Sequence, residues 1–197
     1  MSDARLVLDL ALTVRHEGRG GVADDLRTAA DLTRWVHRHP GLLDAAWEAD
    51  DRALAAVRSL RAAVRALFAH AVRPGAPGPA DAGRLLPVAG ALARLNAAAA
   101  AVPTVPVLEW PDAGEPVADD RPATGGGAGA DLPAAALARA AIRFLAGPGR
   151  AALRACHAPR CARYFVKEHP RQEWCGPSCG NRARVARHHE RHRTPPS

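Results

Sequence analysis

Four cysteines, Cys156, Cys161, Cys175 and Cys179, all fall in the last quarter of a 197-residue chain. They form two close pairs, with four residues inside the first, three inside the second and thirteen between the pairs. Thiolates are soft ligands, and four of them close a tetrahedral zinc site in which each pair supplies two corners. Such a set leaves no open position for a reacting water. The chemistry expected is therefore one structural zinc per chain, with no catalytic role. Two disulfides are the competing use of the same residues, and His157 or His169 could replace one thiolate as a ligand. A reducing compartment favours the metal, and neither pair has the C-x-x-C spacing of a redox centre.

These ligands need rigid neighbours. The segment RYFVKEHPRQEW between the pairs suits a hairpin, with Tyr164, Phe165 and Val166 on one side, a turn at His169-Pro170 and Trp174 on the other. The last cysteine opens a helical stretch. A loop pair, a hairpin and a pair at a helix start describe a small treble-clef-like zinc finger. On a helix over 180–193, Arg184, Arg187 and Arg191 fall within about 60° of one another, flanked by His188. These are the candidate nucleic-acid contacts, together with Arg163, Lys167 and Arg171. The same projection turns Arg182, Val185 and Ala186 the other way. Val185 and Ala186 are expected to face Phe165 and Trp174. Arg182 and Asn181 are assigned, with those two aromatics, to the structure of the finger, Arg182 bonding loop carbonyls near the first cysteine pair.

Charge is divided unevenly. From Arg150 onward there are eleven basic residues and three acids, whereas the first 149 residues hold sixteen and seventeen. Lys167 is the only lysine, so part of the arginine content reflects coding bias, but bias does not gather the excess at one end. A near-neutral body with a basic tail points to a polyanionic partner or a solvated interaction arm.

The body reads as mainly α. Hydrophobic residues make up 48% and aromatics only 4%, so the core is expected to be Leu, Val and Ala between helices. Helices are expected over 6–14, 24–39, 42–72, 80–101 and 131–145. The third carries Val57, Leu60, Val64, Leu67 and Phe68 on one face, with Arg58, Arg61 and Arg65 between. Leu85, Leu92 and Leu95 are core candidates of the fourth. Asp131 is expected to cap the fifth, with Pro133 in its first turn. HEGRGG reads as a turn, 105–110 as a short β element and 111–130 as a mobile loop or degraded hairpin. Gly147-Pro148-Gly149 marks a boundary between an N-terminal domain, 1–149, expected to fold without the finger, and the finger, 150–197. No apolar run approaches the roughly 18 residues of a membrane span, and the first twenty residues lack secretory features. A cytoplasmic location is expected. Asp9, Asp24, Asp25 and Asp31 read as helix caps and surface acids, and no paired carboxylates or Ser-His-Asp set suggests an enzyme.

Cys179-Gly180-Asn181-Arg182 within WCGPSCGNRARVARH resembles the CGNR zinc finger, which ends a class of bacterial proteins whose N-terminal part is the ABATE domain. Leu8-Asp9-Leu10-Ala11 is similar to that domain's LDFAN start, although Leu12 stands where its Asn is usual. Asp31-Leu32 with Trp35-Val36 resembles its second helix, Leu92-Ala93-Arg94-Leu95-Asn96 its LARLN segment, and Leu153-Arg154-Ala155-Cys156 the entry to its finger. The turn 167–171, with Glu168, departs from the family's Ser-Arg-Asn-like turn. The resemblance implies a DNA-binding transcription regulator. Its N-terminal domain would sense a small-molecule or protein signal or form a homodimer. The alternative is a zinc-dependent protein- or RNA-interaction module without sequence-specific DNA binding.

Overall fold

The computed structural model describes residues 2–16, 22–78, 81, 83–123 and 129–193. Six helices are described: α1 (Asp3–Leu12), α2 (Ala29–His37), α3 (Asp51–Ala71), α4 (Val88–Ala100), α5 (Leu132–Ala146) and α6 (Pro177–Arg193). Three antiparallel strand pairs accompany them: β1 (Val14–His16) with β2 (Val22–Asp24), β3 (Thr104–Glu109) with β4 (Val117–Pro122), and β5 (Leu153–Ala155) with β6 (Tyr164–Val166).

Helix starts follow local chemistry, and they correct several expected bounds. The second helix begins at 29, not 24, because Thr28 and Asp31 form a reciprocal capping box and residues 22–24 are a strand. The third begins at 51, where the Asp50 side chain accepts from the Ala53 N–H. Pro87 delays α4 to 88. Asp131 stands at the N-cap of α5, but its carboxylate pairs with Arg52 rather than capping the helix. The turn expected at HEGRGG joins β1 to β2; most of it, 17–21, lies outside the described residues. Within 111–130 an ordered strand, β4, pairs with β3 in full register from Thr104↔Pro122 to Glu109↔Val117.

The core lies between α3 and the helices around it. Val57, Leu60, Val64, Leu67 and Phe68 of α3 are all buried, as expected, and meet Leu10 of α1, Leu95 of α4 and Leu137 and Phe144 of α5. Alanines 134, 135, 138, 140 and 141 fill most of the buried face of α5 and allow close helix approach. Leu92 is 45% exposed and is not a core residue; Leu95 is. Leu67→Ala is expected to cost roughly 2–5 kcal/mol, read as a lower denaturation midpoint with unchanged slope. A midpoint equal to wild type would contradict this packing.

Two arginines of α3 are buried. Arg61 donates through both terminal nitrogens to Asp24, at 2.7 and 2.6 Å, and to the Thr13 hydroxyl at 2.8 Å. Burial opposes charge on Asp24. The Arg61 bonds, the Leu26 N–H and nearby Arg58 outweigh it and hold its carboxyl below the usual range. Asp24 is thus the tie between the β1–β2 hairpin and α3, not a surface acid.

Packing is continuous across position 149/150. Leu153, Ala155 and Tyr164 belong to the same buried cluster as Phe68 and Phe144. The Tyr164 ring meets Phe68 edge-on at 5.4 Å. Its hydroxyl donates to Asp81 at 2.6 Å and accepts from the Gly78 N–H at 3.2 Å. Arg65 donates to Asp81 at 2.7 Å, to the Ala11 carbonyl at 2.6 Å and to the Ala162 carbonyl at 3.3 Å. One buried guanidinium therefore touches α1, the segment after α3 and the finger.

Candidate metal centre

The hairpin of the finger is built differently from the expectation. Tyr164–Val166 is a strand between the pairs, as expected, but its partner is Leu153–Ala155, so the two strands flank the first cysteine pair. β5 runs into Cys156, the chain turns through Cys161, and β6 returns at Tyr164, pairing Leu153↔Val166 and Ala155↔Tyr164. The Cys156 N–H donates to the Arg163 carbonyl at 2.8 Å, which closes this knuckle. Arg160 turns the loop with a φ of 59°. Residues 167–176 form turns, and Trp174 packs on the cysteines without a strand partner. The second pair sits at the start of α6, where the Cys179 N–H donates to the Gly176 carbonyl at 3.1 Å.

The four sulfurs lie within 4.8 Å of one another. Cys161 Sγ is 3.8 Å from Cys175 Sγ, and Cys175 Sγ is 3.4 Å from Cys179 Sγ. A tetrahedron of Zn–S bonds about 2.3 Å long has S···S edges of about 3.8 Å, so the cluster has the size zinc requires. All four cysteines are free, and three of them are buried. Hydrogen bonds from Cys161 and Cys175 push the Cys156 thiol far down. Serving as donor to Cys156 lifts Cys161 to about 11, and the same role, to Cys156 and Cys161, drives Cys175 well above its ordinary value. Without a metal, the crowded sulfurs oppose one another's ionisation. A central dication lets all four ionise together.

His157 is exposed, and the His169 ring accepts from the Arg171 N–H, so neither enters the cluster. Phe165 is buried against Cys156, Cys161 and Cys179, with Trp174 beside them. Gly180 lies against Trp174: an added Cβ would stand 3.3 Å from the indole Cδ1. Arg182 donates to Cys179 Sγ at 2.9 Å, a charge-assisted contact to a thiolate ligand rather than to loop carbonyls. Asn181 accepts from Arg184 at 2.6 Å.

The inward face of α6 also differs from the projection. Cys179 and Ala183 are buried, Ala186 is half-buried, and Val185 is 56% exposed. The helix begins at 177, so the cysteine one turn before Ala183 sets which face meets the hairpin. Arg184, Arg187, His188 and Arg191 are exposed, as are Arg163 and Arg171, and Lys167 is half-buried. The buried bonds that join Arg65, Asp81 and Tyr164 were not legible in the sequence. Their one sequence signal was that Arg61 and Arg65 stand four apart, each directly after a residue of the apolar stripe.

A closed four-cysteine centre capping one end of a helical body defines a protein with a structural zinc finger, and one zinc is the metal it holds. Residues 4–148 match the ABATE family, described as "Putative stress-induced transcription regulator", and residues 152–192 match the CGNR zinc finger. The chain belongs to the ABATE family and carries a CGNR finger after it. A search of curated proteins found no match. Among the described residues no helix is long and apolar enough to cross a membrane.

Proposed function

We propose that the chain is a DNA-binding transcription regulator of the cytoplasm, in which residues 150–197 contact the duplex and residues 1–149 sense a signal or join two copies. One observation carries this reading: a row of exposed arginines, Arg184, Arg187 and Arg191, on a helix whose first turn is fixed by zinc ligands. Arg184 bonds Asn181, and Arg191 donates to the Arg187 carbonyl. His188, Arg163, Lys167 and Arg171 would extend the positive surface. Arg182 would serve the metal centre, and Asn181, Trp174 and Phe165 would hold the finger's shape. Nothing in this role requires catalytic chemistry. So small a basic surface suits two fingers on related half-sites, which makes a homodimer part of the proposal.

The test is selection from random duplex DNA with the zinc-loaded protein, followed by salt titration of variants. Arg187→Ala is expected to weaken binding across sequences and lower the salt slope by about one. Arg182→Ala is expected to lose zinc more readily and to lose binding with it. Unchanged affinity of Arg187→Ala at every salt concentration would defeat the phosphate-contact reading. A second reading, a protein- or RNA-docking finger, is favoured by exposed Val185 on the same helix. Selective binding to RNA or a protein, with no duplex preference, would establish it.

A further inference from the structure

Away from the cysteines, α6 places two imidazoles together. His188 and His192 are one helical turn apart and exposed, with Nε2 atoms 3.2 Å from each other and ring centroids 4.3 Å apart. We propose that this pair is a second metal site, which takes a borderline divalent transition ion such as nickel or zinc.

The distance fits. Two nitrogens bound at about 2.0–2.1 Å to one ion stand about 2.9 Å apart at a right angle and about 3.3 Å apart in a tetrahedron. The two Nε2 atoms already lie within hydrogen-bonding distance of each other, and an ion bound by both would sit to one side of the line between them and replace that contact. Neutral imidazole suits zinc, copper and nickel, and histidines at i and i+4 on a helix present both nitrogens from one face. His189 does not belong to the pair. It lies about 100° further round the helix, and its ring is nearly perpendicular to that of His188, 6.0 Å away. Two protein ligands leave the remaining positions to water, so this site is open and exchangeable, unlike the closed cysteine centre. The arginines of α6 oppose a dication, but they are exposed, and salt screens them over about 8 Å. An ion held here ties two successive turns near the end of the helix.

Nickel titrated into the zinc-loaded full-length protein tests the proposal, with zinc content measured before and after. Wild type is expected to take one nickel while keeping its zinc. His188→Ala and His192→Ala should each bind nickel at least about tenfold more weakly, since each loses the chelating second ligand. Both should retain one zinc, and His189→Ala should behave as wild type. In imidazole nitrogen spectra, substoichiometric nickel should broaden His188 and His192 before His157 and His169. Nickel uptake matched by zinc release, first broadening at another histidine, or a nickel affinity unchanged from wild type in either alanine variant would each overturn the site.

Discussion

Removing zinc from this protein is expected to destabilise the helical body as well as the finger. The reason lies in the shared core. Leu153 and Tyr164 are almost wholly buried against α3 and α5, and both belong to the strands that flank the first cysteine pair. β5 ends one residue before Cys156, and β6 starts three residues after Cys161. When the metal leaves, the crowded thiols lose the charge that lets them ionise together, and the knuckle holding the two strands in register loses its anchor. Structural zinc contributes on the order of 10 kcal/mol or more to folding such modules. Part of that should appear as a lower melting temperature of the whole chain, because about 1 kcal/mol shifts a chain of this size by roughly 2–4 °C. The measurement is thermal unfolding by helical circular dichroism with and without chelator, beside hydrogen exchange in α3. Cys161→Ser should reproduce the chelator effect. Unchanged α3 protection after zinc loss would show that the body stands without the finger.

Asp81→Ala should have the second largest effect, about 3–5 kcal/mol of destabilisation. Arg65 and Asp81 are both nearly inaccessible to solvent. Truncating Asp81 leaves the guanidinium with two carbonyl partners and no counter-charge. It also strands the Tyr164 hydroxyl, whose proton burial and the Asp81 charge hold firmly in place. Arg65→Met combined with Asp81→Leu should recover part of the loss, since no charge is then left buried without its counter-charge, while the Tyr164 hydroxyl and the Ala11 and Ala162 carbonyls still lose a partner. Denaturant midpoints for the single and double variants separate these outcomes. An Asp81→Ala protein within about 1 kcal/mol of wild type would show that water reaches the pair and screens it.

Local signals carried much of this protein. Two close cysteine pairs announce the zinc ligands because short spacing alone lets one loop supply two corners of a tetrahedron. The apolar stripe of α3 announces its buried face because helical periodicity repeats within the segment. The run CGNR and its flanks name the finger's family, and the excess of arginine at one end belongs to composition. What escaped were features set by distant partners. The face of α6 turned inward depends on where Cys179 must point, which left Val185 outside and Ala183 inside. The hairpin closed around the first cysteine pair because β6 found its partner in Leu153–Ala155, not in the residues that follow it. Arg61 and Arg65 look like surface charges within α3. Only the tertiary structure brings Asp24 from the β1–β2 hairpin and Asp81 from beyond α3 to meet them. A buried charge is tolerated only when its counter-charge arrives from elsewhere in the chain, and no window of sequence around the arginine contains that partner.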